Sequence, residues 1–241
     1  MNPHSASDKP RRVRSMFAAI ARSYDLNNRV HSLWRDQAWR RHAVKRAGVK
    51  PTDEVLDVAC GTGDLTMAFA RAGAARVVGA DFTREMLDIA EHKKPARSAD
   101  TITYVEADAQ QLPFDDASFD VVSIAFGIRN VQEPERAISE FARVLRPGGR
   151  LVILEFDTPM FAPVRWFNSF YSGWVMPRTA TLISGDRSGA YRYLPKSVGA
   201  FMARDELIAL IERSGLKDAS AESLTLGICA CYRAVRQAPG A

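Results

Sequence analysis

Glu54-Val55-Leu56-Asp57-Val58-Ala59-Cys60-Gly61-Thr62-Gly63-Asp64 is the stretch on which the reading of this chain turns. Its apolar first half reads as a strand buried on both faces. The glycines that follow allow a sharp turn and close approach of backbone to a ligand. Residues 65–72 then take helical spacing, so the turn ends at a helix N-terminus with free N–H groups. A tight strand–helix turn is the plain alternative. The motif lacks the third glycine of a pyrophosphate-binding Gly-x-Gly-x-x-Gly and has no Gly-Lys-Ser/Thr phosphate loop. An acid ahead of the glycines, Asp57, repels phosphate and suits a cationic or hydroxyl-bearing ligand.

Working outward, the same alternation repeats. Residues 76–81, 104–108, 119–125 and 150–156 read as further strands, with helices over 84–92 and 134–145 and a turn at Pro147-Gly148-Gly149. Five strands alternating with helices make an α/β protein with parallel βαβ units and a sheet covered on both faces. Upstream, Val13, Met16, Phe17, Ile20, Ala21 and Tyr24 recur at helical spacing, and a second helix spans 34–47 before Gly48. Downstream, residues 157–200 break the alternation and are rich in aromatics, among them Trp166, Phe167, Phe170, Tyr171 and Trp174. They read either as core or as a hydrophobic lid. A helix over 203–214 and strands over 219–223 and 227–234 close the chain. One domain of 241 residues is expected: a flexible tail (1–12), a helical cap (13–48), a ligand-binding core (49–156), an aromatic insertion (157–200) and closing elements (201–236).

Composition narrows the classes. With 46% hydrophobic and 25% charged residues the chain is globular rather than disordered. No apolar run approaches the roughly 18 residues of a membrane span, and no secretory signal is evident. Three cysteines, Cys60, Cys229 and Cys231, are too few for a disulfide framework, which points to a reduced, cytoplasmic setting. Net charge is +5, yet residues 1–46 hold 11 Lys and Arg against 3 Asp and Glu, so the excess lies at the N-terminus. Such asymmetry suggests an anionic partner, either nucleic acid or a membrane surface.

Asp81 closes the second strand, where a carboxylate can accept both hydroxyls of a ribose. Asp108 and Ala109 close the third, placed for an adenine. With Asp57 they outline a nucleoside with a positive neighbour and no phosphate, a description that S-adenosylmethionine meets. Each Asp could instead cap a helix or start a turn.

Several motifs carry a resemblance over roughly residues 13–236. They are Phe17-x-x-Ile20-Ala21-x-x-Tyr24-Asp25, Leu56-Asp57-x-x-x-Gly61-Thr62-Gly63-Asp64, Phe126-Gly127-Ile128-Arg129-Asn130-Val131, the segment from Arg143 to Phe156, and Tyr191-x-Tyr193-Leu194-Pro195-x-Ser197-Val198. In these the chain resembles the class I S-adenosylmethionine-dependent methyltransferases, and more narrowly the quinone-biosynthesis C-methyltransferases. The resemblance implies a Rossmann-like fold with a mostly parallel seven-stranded sheet and an antiparallel C-terminal strand. It also implies cofactor contacts at Asp57, Gly61, Thr62, Gly63, Asp81, Asp108, Ala109 and Ala125, with no metal. The reaction implied is C-methylation of a polyprenyl hydroquinone, demethylmenaquinol to menaquinol, with a benzoquinol ring as the alternative. Many members carry Ser at position 125 and Gly and His at positions 34 and 36. This chain has Ala125, Trp34 and Asp36.

For the chemistry, Arg129 and Asn130 follow strand four, where a guanidinium could stabilise a phenolate. The other role open to Arg129 is an ion pair, with Glu155 as a partner. Tyr24 and Tyr171 are candidates for the substrate pocket. No general base stands out, and His31, His42 and His92 read as solvated. An RNA or DNA methyltransferase is the first rival, but Ala125-Phe126-Gly127-Ile128 replaces the Asn/Asp-Pro-Pro-Tyr/Phe turn that base-amine methylation uses. A non-catalytic cofactor-binding subunit is the second. Arg12, Arg14, Arg22, Arg40 and Arg41 are expected to rest the cap on anionic lipid, the alternative being a solvated helix face. A homo-oligomer stays open.

Overall fold

A computed structural model describes residues 9–186 and 188–238. Its centre is a seven-stranded sheet. β1 (Glu54–Val58), β2 (Arg76–Asp81), β3 (Ile102–Glu106), β4 (Phe119–Ala125) and β5 (Leu145–Phe156) run parallel; β7 (Cys229–Arg236) lies antiparallel to both β5 and β6 (Leu216–Leu224). The order is β3-β2-β1-β4-β5-β7-β6, so the chain reverses direction of growth between β1 and β4.

Strand alternation divides the core into two layers. Leu56, Val58, Val122, Ile124, Leu151 and Ile153 point to one face, covered by α5 (Pro134–Val144) and α9 (Arg204–Arg213). Val55, Val77, Val121, Val152 and Leu154 point to the other, covered by α2 (Arg35–Ala47) and α3 (Asp64–Arg71). The helix α4 (Arg84–Lys93) follows β2. The first helix, α1 (Lys9–Ser32), crosses the ends of the strands and packs on α4, α2 and the later helices. It begins at Lys9, so residues 9–12, expected in a flexible tail, are helical; Lys9 is buried and donates to the carbonyls of Val131 (2.5 Å) and Arg129 (3.4 Å).

Two further expectations change. Pro147-Gly148-Gly149 does not separate helix from strand: β5 runs continuously from Leu145, and the extra residues are absorbed as a register shift against β4 between Phe119 and Val121. Strand three lies at 102–106 rather than 104–108, which leaves Asp108 in the turn beyond it.

The segment after β5 is helical: α6 (Ala162–Phe170), a π turn (Tyr171–Val175), α7 (Met176–Ser184) and α8 (Ala190–Gly199). Ala180 of α7 and Ala190 and Tyr191 of α8 pack on Ile20 of α1. The α6 helix buries no residue, so its aromatics form no core. Among the described residues no helix is long and apolar enough to cross a membrane.

Candidate functional site

Open α/β sheets bind ligands beyond the carboxyl ends of the strands, where the strand order reverses. A cleft of about 780 Å³, part of it open to solvent, lies there. Its floor is Val58, Ala59 and Gly61 after β1, Asp81 and Phe82 after β2, Ala107–Gln110 after β3, and Ala125, Phe126 and Gly127 after β4. Its roof is α1, through Pro10, Val13, Phe17 and Tyr24.

Local geometry keeps the two central loops close. Ala59 (φ 49°) and Phe126 (φ 58°) both take the left-handed conformation that side chains disfavour, one at each side of the strand-order reversal. Gly127 is required between them: a Cβ there would stand 2.6 Å from the Cβ of Ala59. Gly63 (φ 80°) is equally committed, because a Cβ would collide with the Tyr104 hydroxyl.

Asp81 is buried at the cleft wall, where it accepts the N–H of Gly61 (2.8 Å) on one oxygen and of Thr83 (2.8 Å) on the other. Burial raises its pKa, and those backbone donors oppose the shift. Asp81 also lines the cleft, so its carboxylate faces a bound ligand. Asp108 is exposed at the cleft edge and accepts Gln110 N–H at 2.9 Å, while Ala109 is buried beside it. Ala125 lines the cleft with no hydroxyl to offer.

Three expected cofactor residues stand behind the wall rather than in it. Asp57 is buried beneath the loop and accepts from Thr66 Oγ1 (2.7 Å) and Ser123 Oγ (2.8 Å). Burial pushes its carboxyl up to about 6, against those two hydroxyls and the Arg40 charge. Its role is to tie β1, β4 and α3 together. Thr62 donates its hydroxyl to Asp25 of α1 (2.6 Å), and Gly63 serves as the turn.

Thr62 thereby joins a charged cluster that sequence reading missed. Lys93 of α4 reaches Asp25 (2.5 Å) and Asp64 (2.9 Å); Arg29 bridges Asp64 and Asp36, and Arg40 also pairs with Asp36 (3.1 Å). Burial alone would raise Asp64, but Arg40, Lys93 and Arg29 bring it down to about 2. The cluster clamps the cap helices onto the glycine loop. The sequence motifs held Asp25, Thr62 and Asp64 but not their pairing, because Lys93 lies 29 residues from Asp64 and 68 from Asp25, and Arg29 lies 35 from Asp64. It also accounts for Asp36, which is buried among arginines and is absent from the cleft lining. Trp34 occupies φ 61°, a position glycine would take without strain.

Arg129 takes the ion-pair role. Its guanidinium meets Glu155 Oε1 at 2.5 Å, the Phe126 carbonyl at 2.7 Å and Ser197 Oγ at 3.2 Å, and both charges are buried. Its side chain is absent from the cleft lining, and its charge reaches the cleft only through Tyr24, whose phenol it lowers against burial. Asn130 does line the cleft; its side-chain oxygen accepts Tyr193 OH at 3.3 Å. Tyr24 lines it as well, its phenol raised by burial. Tyr171 does not: it sits on the outer helices and hydrogen-bonds His31 Nδ1 at 3.0 Å. His31 is therefore packed rather than solvated, and burial lowers its pKa. His42 approaches Glu222 at 3.2 Å.

The lining as a whole has a definite character. Among the described residues it holds two carboxylates, Asp81 and Asp108, and no Lys, Arg or His. Such a lining repels phosphate and accepts a cation with hydroxyls, a description that S-adenosylmethionine meets. No group of three or more His, Cys, Asp and Glu among the described residues is placed to hold a metal ion.

Comparison with known proteins agrees with this geometry. By fold, the chain is similar to a methyltransferase solved with the Haloferax volcanii Trm112 activator (TM-score 0.67, 18% identity, 92% of this chain and 98% of that one). It is likewise similar to a SAM-dependent methyltransferase from Thermotoga maritima (TM-score 0.64, 18% identity, 92% and 100%). By sequence it is 47% identical to a demethylmenaquinone methyltransferase of Thermus thermophilus, over 90% of this chain and 98% of that protein. It is 43% identical to the ubiquinone/menaquinone biosynthesis C-methyltransferase UbiE of Geobacter sp. (strain M21), over 95% and 98%. A family model matches residues 5–236, and the chain belongs to the ubiE/COQ5 methyltransferase family.

Proposed function

We propose that the protein transfers the methyl group of S-adenosylmethionine to a ring carbon of a polyprenyl hydroquinone, converting demethylmenaquinol to menaquinol. The observation that carries this reading is the cation-free, acid-bearing cleft at the strand-order reversal, in a chain 47% identical to a demethylmenaquinone methyltransferase. When bound, the donor supplies a methyl group on an electrophilic sulfonium. The chain's own residues do the rest. Asp81 holds the ribose hydroxyls, with Asp108 and Ala109 at the base. Tyr24 and Asn130 offer hydrogen-bonding groups for the phenolic hydroxyl, whose deprotonation enriches the neighbouring ring carbon. Val13, Phe17 and Val131 keep water from the reacting atoms. Asp57, Thr62, Gly63 and Arg129 act by holding these groups in place. A benzoquinol ring is the second reading, since relatives at 41–43% identity are named for both quinones.

The test is methyl transfer from labelled donor by purified protein to each reduced quinone in detergent. Label is expected on the naphthoquinol, with a lower kcat/KM on the benzoquinol; label on neither overturns the reading. Within the site, Asp81→Ala is expected to weaken donor binding by about 150-fold or more, the loss of two hydrogen bonds to a charged acceptor. Calorimetric titration measures it, and an equal loss of thermal stability would make Asp81 a structural group instead.

A further inference from the structure

The outer helices carry an apolar face that nothing else in the fold uses. Phe161, Trp166, Phe167, Phe170, Trp174 and Leu182 are all exposed, Trp166 by 72% and Leu182 by 83%. Exposed apolar groups scattered singly are ordinary, but these are organised. Trp166, Phe170 and Trp174 form a stacked column, with ring centroids 6.1 and 5.7 Å apart and planes within 10° and 16°. An α-helix drifts by about 40° between residues four apart. The wider π turn over Tyr171–Val175 reverses that drift and returns Trp174 to the line of Trp166. The opposite side of the arm is anchored: Ala180 packs on α1, and Tyr171 bonds His31.

Charge on the arm is one-signed. Between Asp157 and Asp186 the chain has no Asp or Glu, yet it has Arg165 and Arg178. Neither has a carboxylate partner among the described residues; they donate to the carbonyls of Met160 and Trp174, and Arg178 lies over the Trp174 ring at 4.4 Å. Tryptophan and phenylalanine on one arm with two arginines, one of them lying over the Trp174 ring, and no acid between Asp157 and Asp186 is the chemistry of a lipid–water interface. A second copy of this chain on the same face would bring arginines together without a carboxylate to answer them. The basic cap is the weaker docking surface: Arg14 is tied to Glu106 at 2.6 Å, and Arg40, expected there, is buried against Asp36.

We propose that the outer face of α6, the π turn and α7 is a membrane-docking surface, inserting its aromatic column at the headgroup level of an anionic bilayer. The inference stands on the arm itself and does not require the methyl-transfer reading to hold. Its test uses the full chain with neither quinol nor donor present, so the two fail separately. Partition is measured by co-sedimentation with vesicles of phosphatidylcholine and of phosphatidylcholine with an equal share of phosphatidylglycerol. The wild type is expected to bind the mixed vesicles several-fold more tightly. The triple variant Trp166→Ser, Phe170→Ser, Trp174→Ser is expected to bind at least tenfold more weakly. Arg165→Gln with Arg178→Gln is expected to remove the preference for the anionic lipid. Should the triple variant not fold, quenching of wild-type tryptophan fluorescence by brominated phosphatidylcholine in the mixed vesicles decides instead. Undiminished binding by the triple variant, loss of binding on Arg14→Gln with Arg22→Gln alone, no quenching, or a dimer that the triple variant abolishes in a protein indifferent to vesicles would each overturn the proposal.

Discussion

Helices α5 and α6 look alike as sequences and differ in what they meet. Each has Pro in its first turn and an apolar stripe at helical spacing. α5 buries Ala137, Ile138, Phe141 and Val144 against the sheet; α6 buries nothing. Amphipathicity states that one face avoids water, not which solvent or surface receives it. In α5 the receiving surface is the sheet face that a parallel strand pair must cover. In α6 the protein supplies no such surface, and Arg165 stands where a core helix would meet more side chains.

That contrast can be broken most directly in the core. Phe141→Ala is expected to cost about 3–5 kcal/mol, because a fully buried ring leaves a cavity; urea unfolding gives the value, and a cost below about 1 kcal/mol would mean α5 is not anchored as described. Arg129→Ala is expected to destabilise by a similar amount, about 3–5 kcal/mol, by stranding the Glu155 carboxylate in the interior. Arg129→Met with Glu155→Leu should recover most of that loss. If the recovered double variant transfers no methyl group, Arg129 belongs to the chemistry after all.

A smaller effect depends on pH. The folded protein holds the Asp57 proton up to about 6, whereas the ordinary carboxyl loses it near 3.8. The folded state therefore binds more protons between those values, and this group's contribution to stability falls as pH rises from about 4 to about 6. Asp57→Asn carries no such penalty. Its stability relative to wild type should rise by about 1–3 kcal/mol over that range and stay level above it. A flat difference in melting temperature from pH 4 to 8 would show Asp57 to be ionised throughout. At the small end, Phe170→Ala should change unfolding free energy by less than about 0.5 kcal/mol, the range of an exposed site; a loss near that of Phe141→Ala would mean the face is covered in solution.

Much of the core was legible because its signals are local. Strand β4 lies where the run from Phe119 to Ala125 placed it, and β2 matches residues 76–81. The glycine loop, the carboxylate at the end of β2 and the paired closing strands were readable for the same reason: each is set by a few neighbouring residues. Strand β3 starts two residues before the run the sequence pattern predicts, since Tyr104 to Asp108 is as extended a pattern as Ile102 to Glu106 and only pairing with β2 fixes the register. The Pro147-Gly148-Gly149 run looked like a turn because glycine and proline usually end elements, yet β4 accepts it as a bulge.

The sequence by itself determined the α/β order of elements, the turn chemistry at Gly61 and Gly63, and the place of Asp81 at the end of its strand. Those follow from periodicity and backbone sterics, which act over a few residues. Only the tertiary structure decided what each charged or aromatic side chain faces. It turned Arg129 to Glu155 and away from the cleft, drew Asp57 and Thr62 behind the wall, and closed α1 over the site through Asp25, Lys93 and Arg29. It also left the aromatic column of α6 facing outward. The reason is physical: a charge or a ring is defined by its partner, and these partners lie tens of residues away in the chain.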